Sequence, residues 1–150
     1  MKVDDREART VVGRRERVAL PEWGINRIRG KIDTGARTCS LDVDNLVRQP
    51  DEHVEFDVVL SRDRQRVRRI RARLKRKSHV RPSTGETQTR HVVETLLRIG
   101  AVERRVEINL VPRDGMICRM LIGRNALRGR FLVDPDAKYL TDEGCPPEGE

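Results

Sequence analysis

Polar and apolar residues alternate along most of this chain with a period of two. Val54, Phe56, Val58 and Leu60 alternate with Glu55 and Asp57, and Ile70, Ala72 and Leu74 alternate with arginines. Val102, Val106, Ile108 and Leu110 alternate with Glu103, Arg105, Glu107 and Asn109. Such alternation predicts strands with one dry and one wet face. The first two strands are expected to form a hairpin through Ser61 to Arg66. Antiparallel pairing would set the acids of one strand against the arginines of the other. His91 to Ile99 and Val102 to Leu110 make a second expected hairpin around Gly100-Ala101. Thr10 to Leu20 and Ile25 to Asp33 make a third, across Pro21-Glu22-Trp23-Gly24. Arg76 to Thr89 reads as a polar loop. Helical signal is confined to one short stretch, Asn125 to Arg128, closed by Gly129, with the strand Phe131-Leu132-Val133 after it. The pattern predicts an all-β barrel or sandwich. It is organised as one domain over residues 9–140, with a frayed N-terminus at 1–8 and a flexible tail at 141–150.

Composition narrows the possibilities. The chain has 150 residues, with 32 Lys or Arg against 24 Asp or Glu, a formal net charge of +8. So much charge, with no long apolar run, excludes a membrane-spanning helix. The N-terminus lacks the apolar stretch of a secretory signal. Cys39, Cys118 and Cys145 include no C-x-x-C, which fits reduced thiols in a cytoplasmic protein. His53, His79 and His91 show no tight ligand spacing, so no metal and no cofactor are expected. Of the basic residues 27 are Arg. Arginine favours planar contacts with carboxylates and phosphates, so an acidic partner is expected.

Two segments carry candidate chemistry. The strand Ile25 to Ile32 runs directly into Asp33-Thr34-Gly35-Ala36, which sets a carboxylate at a tight turn. Some ninety residues later, Leu121-Ile122-Gly123-Arg124-Asn125 joins an apolar strand to the helical turn. Asp-Thr-Gly alone is a common turn-former. The two segments together resemble the retropepsin-like aspartic proteases, whose active-site loop matches Asp33 to Ala36 and whose second signature matches Leu121 to Asn125. The likeness is closest to a bacterial branch labelled ATP-dependent zinc protease. Lys31 to Thr38, Val106 to Leu110, Arg119 to Arg124 and Leu127 to Pro135 follow that branch's pattern. Two positions depart. Asp42 stands where the branch carries His, and Arg37 stands where retroviral relatives carry an Asp that would pair with Arg124, so Arg124 needs another partner. No phosphate-binding G-x-x-x-x-G-K-[ST] loop and no zinc ligand set accompany the label.

The resemblance implies a closed acid-protease barrel with one short C-terminal helix. It also implies an aspartic peptidase in which Asp33 is catalytic and Thr34, Gly35 and Ala36 shape the loop. One Asp-Thr-Gly cannot supply two carboxylates, so a homodimer is expected, with its twofold axis between the two copies of Asp33. The flap over the substrate is assigned first to the Ser61 to Arg66 tip and second to Arg76 to Gly85. Arg37 and Arg124 are expected to bind substrate, a peptide or protein of acidic, glutamate-rich character, since the branch is associated with glutamate ligases. Two alternatives stand beside this reading. One is a non-catalytic retropepsin-like module that dimerises or binds peptides. The other is a basic β domain that binds nucleic acid, which the scarcity of aromatics disfavours. Asp42, Asp44 and Asp114 are expected as turn or surface carboxylates, and Cys39 as a small buried residue.

Overall fold

The fold comes from a computed structural model that describes residues 8–80, 85, 87–111 and 117–142. Most of the expected frayed N-terminus, Arg81 to Thr84 of the expected loop, Asp114, Cys145 and most of the expected tail lie outside the described residues. The elements in chain order are β1 (Thr10–Val12), β2 (Arg15–Leu20), a 3₁₀ turn (Pro21–Trp23), β3 (Ile25–Ile32), β4 (Cys39–Gln49) and β5 (His53–Val59). Then follow β6 (Val67–Arg73), β7 (Arg76–Val80), β8 (Gln88–Ile99), β9 (Val102–Val111), β10 (Met120–Ile122), α1 (Arg124–Leu127) and β11 (Phe131–Val133).

Six strands close a barrel in the order β10-β3-β2-β8-β9-β4, and β4 pairs back onto β10 through Met120 and Leu41. The second half of β4 leaves the barrel to pair with β5, which carries β6, and β7 hangs from β8. β1 and β11 make a separate parallel ribbon. The expected all-β barrel with one short C-terminal helix is therefore present. Its core holds Val18, Leu20, Ile28, Leu41, Phe56, Ile108 and Ile122, all buried. Each such side chain contributes about 1.5–3 kcal/mol. Trp23 packs edge-on against Phe56, ring centroids 5.6 Å apart, and fixes the 3₁₀ turn to the core.

The hairpins expected from alternation are found. In β5 and β6, Glu55 faces Arg71 and Asp57 faces Arg69. In β8 and β9, Ile99 faces Val102 across the turn, where Gly100 takes φ +60°. Three expectations are corrected. Thr10 to Leu20 is two strands, broken where Gly13 passes so close to the chain that a Cβ would stand 2.4 Å from the Ala137 carbonyl oxygen. Arg76 to Thr89 is not all loop. Arg76–Val80 is β7 and β8 already starts at Gln88. That hairpin is held by main-chain pairing such as Lys77 with His91, a ladder that needs no apolar row and leaves no period-two signal. The helix is displaced by one residue, starting at Arg124 and ending at Leu127, with Gly129 at φ +83° beyond it.

Cys39–Gln49 carries Cys39, Leu41 and Val43 on its core-facing side, a row too short to give a clear period-two signal before the charged and polar residues that follow. Asp42 alternates with them on the opposite face. Far from being a surface or turn carboxylate, it is fully buried there. Its Oδ2 accepts a hydrogen bond from Arg64 Nη1 at 2.7 Å and another from Arg119 Nη1. Two guanidinium groups make the burial of that charge tolerable. Asp44, beside it, takes Arg64 Nη2 at 2.7 Å.

Glu16 is also fully buried, in phase with Val18 and Leu20 on β2. Its carboxylate accepts the N–H of Gly13 at 2.7 Å, of Leu140 at 2.9 Å and of Thr141 at 3.0 Å, and the Thr141 hydroxyl at 2.7 Å. The chain beyond β11 is thereby tied to the β1–β2 turn. That turn abuts the end of β3, since the Ile32 N–H donates to Arg14 O at 2.9 Å.

Candidate active site

Asp33 stands at the open end of β3. Its N–H donates to Ile122 O at 2.9 Å, which carries the β3–β10 ladder one residue past the last paired positions. The chain then turns. The Gly35 N–H donates to Asp33 Oδ1 at 2.9 Å, and the Ala36 N–H to Asp33 O at 3.2 Å. A carboxylate oxygen that accepts a backbone N–H two residues on gives the turn a fixed side-chain direction. Gly35 is needed for closeness rather than for a left-handed backbone. A Cβ there would lie 3.2 Å from Asp33 Oδ1. Asp33 is half-buried, and Thr34 and Gly35 are exposed.

The second signature braces this turn from beneath. The Arg124 N–H donates to Ala36 O at 2.9 Å, and the Asn125 N–H to Arg37 O at 3.1 Å. Arg124 finds the partner its changed neighbour denies it. Its Nη1 donates to Thr34 O at 3.1 Å, so its guanidinium engages the loop itself. Gly123 permits the contact, because a Cβ would meet Thr38 O at 2.4 Å and Ala36 O at 2.9 Å. Both obstacles are backbone, so neither can swing aside. Gly123→Ala is expected to cost about 1–3 kcal/mol, the usual cost of overpacking. It should also displace the Asp33 turn, read as a lower melting temperature together with reduced activity. Unchanged values of both would contradict the bracing role.

Side chains extend the brace. The Cys39 thiol donates to Asn125 Oδ1 at 3.2 Å, and Asn125 Nδ2 donates to Glu107 O at 3.0 Å. Burial pushes the Cys39 thiol up to about 11, with the Gly123 N–H pulling weakly the other way. Cys39 is thus an inert thiol at neutral pH. Asn109 Nδ2 donates to Thr38 Oγ1 at 2.8 Å, and Ser78 Oγ to Asn109 Oδ1 at 3.3 Å, which links the loop to β9 and β7. Asn109 escaped the sequence reading because it looked like one more wet-face residue.

The loop residues Asp33 to Ala36 and Arg124 are therefore brought together. Arg37 lies to one side, exposed, on the wall of a groove of about 950 Å³ that Arg76, Arg105, Glu107 and Arg128 also line. The Ser61 to Arg66 turn is fastened down. Ser61 Oγ donates to Asp63 Oδ1 at 2.7 Å and accepts the Arg66 N–H at 3.1 Å, while Arg64 reaches into the Asp42 pocket. Two arginines of β6 are paired as well, Arg69 with Glu55 and Asp57, and Arg71 with Gln49. Among the described residues no three His, Cys, Asp or Glu side chains come together to hold a metal ion. No helix there is long and apolar enough to cross a membrane.

Comparison with known proteins gives a family and a fold. Residues 11–144 match the family described as RimB-like, retropepsin-like aspartic endopeptidase RimB. A probable alpha-L-glutamate ligase of Parasynechococcus marenigrum (strain WH8102) is 37% identical over 133 residues, 86% of this chain and 28% of that protein. One from Desulfotalea psychrophila is 35% identical, over 85% of this chain and 28% of that protein, and one from Shewanella pealeana is 30% identical, over 89% and 30%. The chain thus spans less than a third of the length of the curated relatives it matches. A crystal structure of a Legionella pneumophila protein of unknown function superposes with a TM-score of 0.73 at 22% identity, covering 88% of this chain and 98% of that one. At that identity the likeness concerns the fold.

Proposed function

This chain belongs to the RimB-like family of retropepsin-like aspartic endopeptidases, and on that premise we propose that it is a homodimeric aspartic endopeptidase in which two copies of Asp33 form one active site. The observation that carries the reading is the Asp33 turn itself. A carboxylate sits on a half-exposed loop, its direction set by the Gly35 N–H and its backbone braced by Arg124 and Asn125. The chain supplies one such carboxylate, and Thr34 and Gly35 are exposed beside it, free to meet their counterparts.

The chemistry follows from the pairing. Two carboxylates within hydrogen-bond reach cannot both ionise, so as in aspartic proteases generally they share a proton. The ionised one takes a proton from water, which attacks the peptide carbonyl, while the protonated one donates to the developing oxyanion. The pair titrates as a unit. The flap in this reading is the β7–β8 hairpin, because the Ser61 to Arg66 turn is pinned by Arg64 to a buried carboxylate.

Acidic peptides are the proposed substrate class. Arg37 follows the catalytic turn, and its groove carries Arg76, Arg104, Arg105 and Arg128 against two carboxylates, Glu94 and Glu107, with Arg76 paired to Glu107 and Arg105 to Glu22. Relatives that contain a segment like this chain are named probable alpha-L-glutamate ligases, which supports a functional link to glutamate addition. The test compares a peptide of consecutive glutamates with a neutral peptide of equal length, each with and without a metal chelator. The glutamate peptide is expected to be cleaved about tenfold faster or more, the equivalent of one charge-assisted hydrogen bond, with no effect of chelator. Equal rates would remove the acidic preference. Loss of activity with chelator would overturn the aspartic mechanism.

A further inference from the structure

Side chains of β7 and β9 meet across the strand that separates them. Both strands pair with β8, one on each side, and at a strand spacing of ~4.8 Å they stand roughly 10 Å apart. Arg76 and Ser78 of β7 nevertheless reach Glu107 and Asn109 of β9. Arg76 Nη2 donates to Glu107 Oε1 at 2.7 Å, and Ser78 Oγ donates to Asn109 Oδ1 at 3.3 Å. Val92 of β8 pairs with Arg76 on one side and with Asn109 on the other, and is buried between them. Its neighbour Val93 turns into the core, so these contacts lie on the outer face of the sheet.

Asn109 serves two elements with one planar group. Its Oδ1 takes the Ser78 hydroxyl, while its Nδ2 donates to Thr38 Oγ1 at 2.8 Å and to Cys39 O at 3.3 Å. An amide holds donor and acceptor in one rigid plane. A displacement of Ser78 that turns this plane is therefore felt at Thr38. Thr38 has little room to absorb it. Its carbonyl oxygen lies 2.4 Å from where a Cβ on Gly123 would stand, and the Ala36 carbonyl, two residues back, accepts the Arg124 N–H. Between them the Arg37 carbonyl accepts the Asn125 N–H at 3.1 Å. The chain from Thr38 back to the Asp33 turn is thus held at successive points, and a shift at one end is passed along it.

We propose that Asn109 is a positioning residue that relays the placement of β7 to the loop carrying Asp33. The Arg76–Glu107 pair holds β7 to β9 independently, so the relay is cut at Ser78 without freeing the strand. What the relay does to turnover rests on the endopeptidase reading, in which β7 belongs to the flap.

The relay is read first without substrate, from the amide resonances of Gly35 and Ala36 in isotope-labelled protein. Both N–H groups donate to Asp33. Ser78→Ala removes one hydroxyl from β7 and should shift both resonances. In an Asn109→Ala or a Thr38→Val background the same change should shift neither. Lys77→Ala, the next residue of β7 and on its opposite face, should also shift neither. Kinetics on the glutamate peptide then give the consequence. Ser78→Ala and Thr38→Val are each expected to lower kcat about fivefold, the worth of one hydrogen bond, with KM within about twofold of wild type. Both cut the same relay, so the double variant should again lose about fivefold rather than the ~25-fold product. Resonances that stay in place in Ser78→Ala, shifts that survive in Asn109→Ala, or fully additive losses overturn the relay. So does a rise in KM at constant kcat, which would make Ser78 a direct peptide contact. Relayed shifts without hydrolysis by the wild-type chain keep the positioning role and remove the endopeptidase. Hydrolysis with additive losses does the reverse.

Discussion

Replacing Asp33 with asparagine is expected to lower peptide hydrolysis about a thousandfold or more, while the fold and self-association persist. The amide keeps an oxygen for the Gly35 N–H, so the turn is held as before. What it loses is the ability to exchange a proton near neutral pH. Positioned proton transfer is worth about 10²–10⁴ in rate. In a symmetric dimer one substitution removes both the base and the acid. The measurement is kcat/KM on the glutamate peptide beside a thermal melt. The melt should stay within about 1 kcal/mol of wild type, a usual bound for a near-isosteric change at a half-exposed site. Retained activity would remove Asp33 from the chemistry.

The largest effect on stability is expected at Glu16, far from the reacting atoms. Truncation to alanine leaves the N–H groups of Gly13, Leu140 and Thr141 facing a cavity, together with the Thr141 hydroxyl. Each buried donor left without a partner costs ~1–3 kcal/mol. Water entering the space recovers part of that, so a net loss of about 3–5 kcal/mol is expected. For a chain of this size that lowers the melting temperature by about 10 °C or more. Glu16→Gln keeps an acceptor and the volume, and should recover part of the loss. Calorimetry on the three proteins checks the order. A melt of Glu16→Ala within a degree or two of wild type would show that the clasp is dispensable. Because the β1–β2 turn abuts Ile32, Glu16→Ala should also loosen the end of β3 and weaken catalysis by a positional route.

What could be read from the residues alone follows the physics of each element. β5, β6, β8 and β9 announced themselves because each buries an apolar row on one face and wets the other. β7 did not, because its ladder to β8 is a main-chain affair with no such row. β4 gives only a short apolar row, Cys39, Leu41 and Val43, and Asp42 on its other face is buried by Arg64 and by Arg119, which arrives 77 residues later. Glu16 sits in phase with Val18 and Leu20, yet a carboxylate in that phase is unreadable until Thr141 comes round to meet it. At the site, the Asp33 turn and Gly123-Arg124-Asn125 were visible as paired motifs. The partner of Arg124 was not, because a backbone carbonyl leaves no mark in a sequence.

Co-refolding wild-type and Asp33→Asn chains in varied ratios at constant total concentration puts the shared site to its most direct test. If one catalytic unit needs an intact carboxylate from each of two chains, activity falls as the square of the wild-type fraction. A fall in simple proportion to that fraction would mean that each chain works alone, and would contradict the account.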